Sequence, residues 1–226
     1  MTARYFSPTY ARARERFLDA ARKRGAAVDT HVHPLKGAEG EELAIDTALI
    51  GDPAAKALFL ASSGTHGPEG FSGSACQLAL LNDELLGRAT ERGVAILLVH
   101  AVNPFGFSHL KRTNEDNIDL NRNFNDFSRP YPANPTYECV HKALVPENWP
   151  PTESDEATLA EAMTAVAGQI NPGVSSGQAV HRDGLFYAGT APSFSNKTIR
   201  AILQKHGRAC RQLAWIDIHT GLGPYG

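Results

Sequence analysis

Two kinds of stretch recur along this chain: short runs that are apolar throughout, and longer ones with an apolar face. Residues 56–61 and 94–99 are of the first kind, the pattern of strands buried on both sides of a sheet. Residues 213–218 form a third run, apolar but for Asp217. Residues 28–35 and 42–50 read as two further strands, joined by the turn-rich segment 36–40. The second kind begins with residues 9–24. Ser7 and Pro8 stand ahead of them, Phe17, Leu18 and Ala21 share one face, and Gly25 follows; this predicts a helix with a defined start and stop. Residues 70–88, 153–169 and 195–206 predict three more helices, the last opened by Ser195-Asn196. Residues 103–135 are polar, rich in Asn, Arg and Pro, and lack periodicity, and residues 173–192 form a glycine-rich loop. A long irregular segment within a compact domain is usually functional. Strands alternating with helices predict an α/β fold, a mostly parallel mixed sheet with helices on both faces.

Composition narrows the function classes. The chain has 226 residues, 42% of them hydrophobic, enough for one packed core, so residues 1–226 are read as a single domain. A net charge of −2 supplies no basic field for nucleic acid. Cys76, Cys139 and Cys210 are odd in number and far apart, which suits a reducing compartment and neither a disulfide framework nor a thiolate metal site. The first residues lack the apolar core of a signal peptide, and no run approaches membrane-spanning length. A cytoplasmic protein with neither nucleic-acid nor membrane partners is expected.

Candidate chemistry gathers at the ends of the apolar runs. After the run at 56–61 comes His66-Gly67-Pro68-Glu69, and the run at 213–218 is followed at once by His219. Imidazole and carboxylate are the ligands of a catalytic zinc, which takes three protein donors and keeps one position open. In an open α/β sheet ligands bind beyond the carboxyl ends of the strands, where His66, Glu69, Asn103 and His219 all fall. Within the polar loop, Arg112, Asn121 and Arg122 offer rigid forked donors and an amide, suited to a carboxylate or a polarised carbonyl. Their plainer role is surface pairing with Glu115, Asp116 and Asp119. Glu69 could likewise serve only the dipole of the helix that follows.

The order His66-x-x-Glu69, Arg112, Asn121-Arg122 and a strand-terminal His219 resembles the zinc carboxypeptidase (M14-like) family. Segments 63–70, 114–124 and 183–190 look closest to its bacterial DUF2817 branch, and the resemblance runs from about Tyr5 to the end. It implies that His66, Glu69 and His219 bind one Zn2+, that Arg112 polarises the scissile carbonyl, and that Asn121 and Arg122 grip a terminal carboxylate. The implied activity is zinc-dependent hydrolysis of a peptide or amide bond next to a free carboxylate. Deacylation of N-acyl amino acids is the alternative within the same fold class. Substrates would be small peptides or acyl amino acids. The family's general-base glutamate lies well downstream of the third ligand. Only Thr220 to Gly226 follow His219 here, and none is acidic. The domain is therefore expected to be incomplete, or else a catalytically inactive metal binder unless Glu115 or Asp116 substitutes as base. A metal-free module in which the arginine loop captures an anion is the reading outside the enzyme class.

Two further features compete for attention. His31-Val32-His33 resembles the metal motif of amidohydrolase barrels, since alternation puts both rings on one face of a strand. Such a barrel needs ~250 residues and eight strand–helix repeats, more than are present, so both read as strand-face histidines. Asp217, two residues before His219, is placed to orient its imidazole. His181 reads as a surface residue, and His100, His109, His141 and His206 receive no role.

Overall fold

The structure, a computed structural model, describes residues 3–166 and 170–221. In chain order its elements are α1 (Tyr10–Lys23), β1 (Ala27–Lys36), β2 (Glu42–Ile50), β3 (Ala57–Ser63), α2 (Gly70–Leu81), α3 (Leu85–Glu91) and β4 (Val94–His100). There follow α4 (Pro104–Ser108), α5 (Leu120–Asn123), α6 (Pro135–Leu144), α7 (Glu153–Ala165), α8 (Ile170–Ser175), α9 (Phe194–Gly207) and β5 (Gln212–Ile218). The chain divides into two units, one formed by residues up to 114 together with those from 194 onward, the other by residues 115–193.

The first unit holds the sheet, in the order β1-β2-β4-β3-β5. Strand β3 runs parallel to both of its neighbours, β4 and β5, whereas β2 is antiparallel to β1 and β4. The expected α/β mixed sheet is present, with its parallel part where the histidine-ending runs lie. Phe17 and Ala21 of α1 pack with Leu81, Leu86, Ala48, Ala61, Ile96 and Leu98 in one buried cluster. Strand residues of opposite parity, Leu49, Leu60 and Leu97, are buried too, so both faces of the central strands are covered. Strand β5 lies at one edge, opposite β1, and differs from the central strands. Leu213, Trp215 and Ile216 are exposed on it.

Helix α1 starts where Thr9 accepts a hydrogen bond from the Arg12 amide, 3.2 Å, and its Tyr10, Ala13, Phe17 and Ala21 are buried. The single acid inside apolar β2, Asp46, is fully buried and held by Arg14 at 2.7 Å. The helix expected over 70–88 is instead two. Asn82 turns its amide back to the Leu78 carbonyl at 2.7 Å, and Asp83 accepts from the Leu85 amide at 2.8 Å. These local bonds replace helical ones, stopping α2 and starting α3.

The second unit packs α6, α7 and α8 around Tyr137, Val140 and Val174. Helix α6 lies beyond the expected elements. Its Asn134 caps the Tyr137 amide at 2.9 Å and Pro135 opens the first turn, residues that read as loop in the sequence and serve here as a helix start. Part of the expected loop 173–192 is the end of α8. The helix expected over 153–169 is α7, ending at Ala165; residues 167–169 lie outside the described ones. Among the described residues, no helix is long and apolar enough to cross a membrane.

Candidate metal centre

Strand β3 ends in Ser62 and Ser63, and the chain then turns through Gly64, which adopts φ +72°, a conformation open chiefly to glycine. Buried Gln77 fastens this corner. Its amide donates to the carbonyls of Ala61 and Val99 at 3.0 Å each, and its oxygen accepts from Ser63 Oγ at 2.9 Å. After β4 the backbone of Val102 and Asn103 hydrogen-bonds to Ser63 and Gly64. The ends of the two central strands are thus tied together directly below His66.

His66 is still extended, and a 3-10 turn over Gly67–Glu69, stiffened by Pro68, follows it. One tight turn therefore carries both His66 and Glu69. Gly67 is required there, because a Cβ would overlap the backbone of Gly106 and the carbonyl oxygen of Lys111. This packing brings the Lys111-Arg112 backbone against the His66 loop within the first unit. Arg112 is exposed, and its carbonyl accepts from the Asn103 amide at 3.4 Å.

His219 arrives from the end of β5, the parallel neighbour of β3. One donor atom from each of His66, Glu69 and His219 lies within 4.8 Å of the others. His66 Nδ1 stands 3.1 Å from Glu69 Oε1, and His219 Nδ1 stands 2.8 Å from Glu69 Oε2. Donors on a tetrahedral zinc with bonds of ~2.0–2.1 Å are about 3.4 Å apart, so these spacings fit a small ion with minor adjustment. The donor set, two imidazoles and one carboxylate, fits it too.

Behind the trio stands a layer of supports. His219 Nε2 lies 2.6 Å from Asp217 Oδ2, which leaves Nδ1 facing Glu69. Asp217 accepts from Ser62 Oγ at 2.6 Å and from Thr65 Oγ1 at 2.9 Å, and Ser62 in turn accepts from Trp215 Nε1 at 2.8 Å. Burial alone would push the Asp217 carboxyl up, but the bonds from His219 and Ser62 hold it below the ordinary carboxylate range. The Asp217 bond is the main reason that His219 titrates above an ordinary imidazole. Asp217 stands where its spacing from His219 suggested. Ser62, Thr65, Gln77 and Trp215 were not foreseen. The signal was there for Ser62 and Ser63, two hydroxyls closing an otherwise apolar strand.

Asn121 and Arg122 lie on α5 in the second unit. Arg122 donates to the Ser175 carbonyl through Nε and Nη2, at 2.9 and 2.5 Å, and to the Asn121 carbonyl through Nη1 at 3.2 Å. Its fork holds its own unit together and keeps two N–H groups for other acceptors. Asn121 is exposed at the start of α5, its amide capped by Asp119 at 3.0 Å. Asp116 pairs with Arg182 at 2.8 Å. His33 is buried edge-on against Phe194, with ring centroids 4.6 Å apart, and its Nδ1 accepts from the Leu35 amide. Neither it nor His31 joins a group of metal donors among the described residues.

Fold and donor set together define an α/β protein with a candidate metal centre at the ends of its parallel strands. The chain belongs to the family described as "Protein of unknown function (DUF2817)", whose profile matches residues 6–226. Thrombin activatable fibrinolysis inhibitor shares the fold at a TM-score of 0.51 and 14% identity, with 94% of this chain and 47% of that one aligned. The bovine form of that protein, in complex with tick carboxypeptidase inhibitor, gives a TM-score of 0.48 at 12% identity over 96% of this chain and 61% of the other. A glutaminyl cyclase from Tannerella forsythia gives 0.32 at 12% identity, over 91% of both chains. These last two scores mark only a distant likeness. The chain thus spans about half the length of the first of these structures. No curated protein matches its sequence.

Proposed function

We propose that His66, Glu69 and His219 hold a zinc ion and that the protein is a metallocarboxypeptidase-type hydrolase, cleaving a peptide or amide bond next to a free carboxylate. The observation that carries this reading is the convergence of the three donors, with His219 oriented by Asp217 through its other nitrogen. Zinc held there would supply Lewis acidity, polarising a carbonyl and making water acidic near neutral pH. Arg112, on the segment packed against Gly67, would meet the developing negative charge, a role worth about 3 kcal/mol for a single well-placed donor. Asn121 and Arg122 would bind the substrate carboxylate with the donors that Arg122 retains. In this reading residues 1–226 belong to one carboxypeptidase-like domain.

One observation favours a second reading, a metal binder without turnover. Both carboxylates at the centre are engaged, Glu69 between two imidazoles and Asp217 on His219. Neither is left to move a proton for general acid–base catalysis. The test has two parts. Zinc-reconstituted protein should hold an equivalent of zinc that disappears in His66→Ala. The same protein should hydrolyse an N-acyl dipeptide carrying a free carboxylate, and not its amide. Absence of that equivalent refutes the zinc reading; zinc without turnover leaves the inactive binder.

A further inference from the structure

We propose that the second unit carries a transition-metal site of its own, formed by His141, His181 and Asp183. His141 sits in the last turn of α6, and the other two belong to the loop that follows Gln178. One donor atom from each lies within 4.8 Å of the others. The two imidazoles stack with centroids 3.7 Å apart and planes 20° from parallel, and His141 Nε2 is 3.7 Å from Asp183 Oδ1. Two donors on a tetrahedral ion stand about 3.4 Å apart, so a shift of a few tenths of an ångström completes the contact.

The cluster is held from behind. Glu138, one turn before His141 on α6, lies 2.9 Å from His181 Nε2 and fixes that ring through one nitrogen, so that Nδ1 is the nitrogen left for an ion. The loop is shaped by buried Gln178. Its oxygen accepts from the amides of Val180 and His181 at 2.9 and 2.7 Å, and its nitrogen donates to the His181 carbonyl at 2.7 Å. Tyr137 of α6 adds a hydroxyl that accepts from the Leu185 amide at 2.6 Å. His141 Nδ1 is buried, has no hydrogen-bond partner among the described residues, and abuts Gly184, where a Cβ would lie 3.2 Å away. Packing holds that ring, and Nε2 is the nitrogen turned to Asp183. A hydrogen-bonded loop that delivers two donors to a third on a rigid helix is preorganised for an ion. Two imidazoles and one carboxylate suit zinc and its neighbours in the first transition series, and not calcium or magnesium. The ion would clip the loop to α6.

The site shares no residue with the first centre, so each can fail alone. The full chain, loaded with Zn2+ and freed of excess, should contain two equivalents. His181→Ala should lose one and keep the equivalent that His66→Ala removes. Asp183→Asn changes an exposed side chain and guards against misfolding; its affinity for Co2+, followed by visible absorption, should fall about tenfold or more. Zn2+ should also slow proteolysis of the 178–187 loop in the wild type and in His66→Ala, but not in His181→Ala. The proposal is overturned if both substitutions leave the ion count and affinity unchanged. It is equally overturned if the wild type holds no ion beyond the one that His66→Ala removes.

Discussion

Two clusters of histidine and carboxylate can be set side by side, and they are mounted in opposite ways. His66, Glu69 and His219 stand at the ends of two parallel strands, and their support reaches back through Asp217 and Ser62 into the sheet. His141, His181 and Asp183 stand on one helix turn and a loop, supported by Glu138 and the Gln178 amide. Exposure of the acid follows the mounting. The difference lies in the carboxylates, Glu69 being 12% exposed and Asp183 71%, while the histidines overlap, His66 and His219 at 5% and 29% and His141 and His181 at 12% and 25%. Enclosure strengthens electrostatic interactions and excludes water, so the sheet-borne cluster is suited to chemistry and the loop-borne one to holding the chain. The same donor set reads differently according to what stands behind it.

Glycine substitutions test that contrast most severely. In Gly67→Ala the new methyl group would meet backbone of Gly106 and Lys111, which cannot step aside. A loss of about 3 kcal/mol or more is expected, as for the harsher cases of overpacking. In Gly184→Ala the new group would meet the Tyr137 hydroxyl, the tip of a side chain, and a loss of about 1 kcal/mol is expected. Urea denaturation of the two variants measures both. Equal losses would mean that the sheet-end loop is no more rigidly placed than the helix-side one.

His100 extends the comparison to an imidazole with no carboxylate partner. It closes β4, fully buried, stacked on Phe17 with centroids 4.6 Å apart, and Nε2 reaches Ser74 Oγ at 3.1 Å. Burial pushes its pKa down to about 4. The folded chain therefore keeps this ring neutral over a range in which the unfolded chain, with an ordinary imidazole near 6.5, takes up a proton. Stability from this group is whole above pH 6.5 and is lost as pH falls through the interval down to about 4. The full loss amounts to about 3 kcal/mol at 1.4 kcal/mol per unit. Denaturation midpoints between pH 7 and 4 should fall in the wild type and flatten in His100→Gln. An unchanged slope would show that other groups cause the acid sensitivity.

Much of the first unit could be read from its sequence, because its central strands are buried on both faces and so are apolar throughout. The neighbourhood of the trio was legible too, since ligands bind beyond the carboxyl ends of parallel strands, but the tight turn that sets Glu69 beside His66 was not. The second unit was hidden for the same reason in reverse. Its helix α6 opens with Asn134-Pro135, which serve a turn as readily as a cap, and its cluster draws on residues forty apart with no strand to align them. Within α2, Gln77 looked like any polar helix residue. Only the fold shows it bridging two strands. Asp46 likewise contradicts its apolar strand until Arg14 of α1 is seen to meet it.

The smallest expected effect separates the support layers. Asp217→Asn keeps the shape of the side chain beside His219 but replaces a carboxylate, which fixes the imidazole tautomer and raises its basicity, by an amide. Metal affinity at the first centre should fall 10- to 100-fold, the usual cost of losing such a partner, or about 1.4–2.7 kcal/mol. Glu138→Gln, its counterpart on α6, should cost less, because stacking on His141 also holds the His181 ring and two bonds to Gln178 fix its backbone. Zinc titrations of the two variants against a chromogenic chelator report both numbers. If Glu138→Gln costs as much as Asp217→Asn, the depth of the supporting network does not govern how well these clusters hold an ion, and the contrast between sheet-borne and loop-borne mounting loses its physical basis.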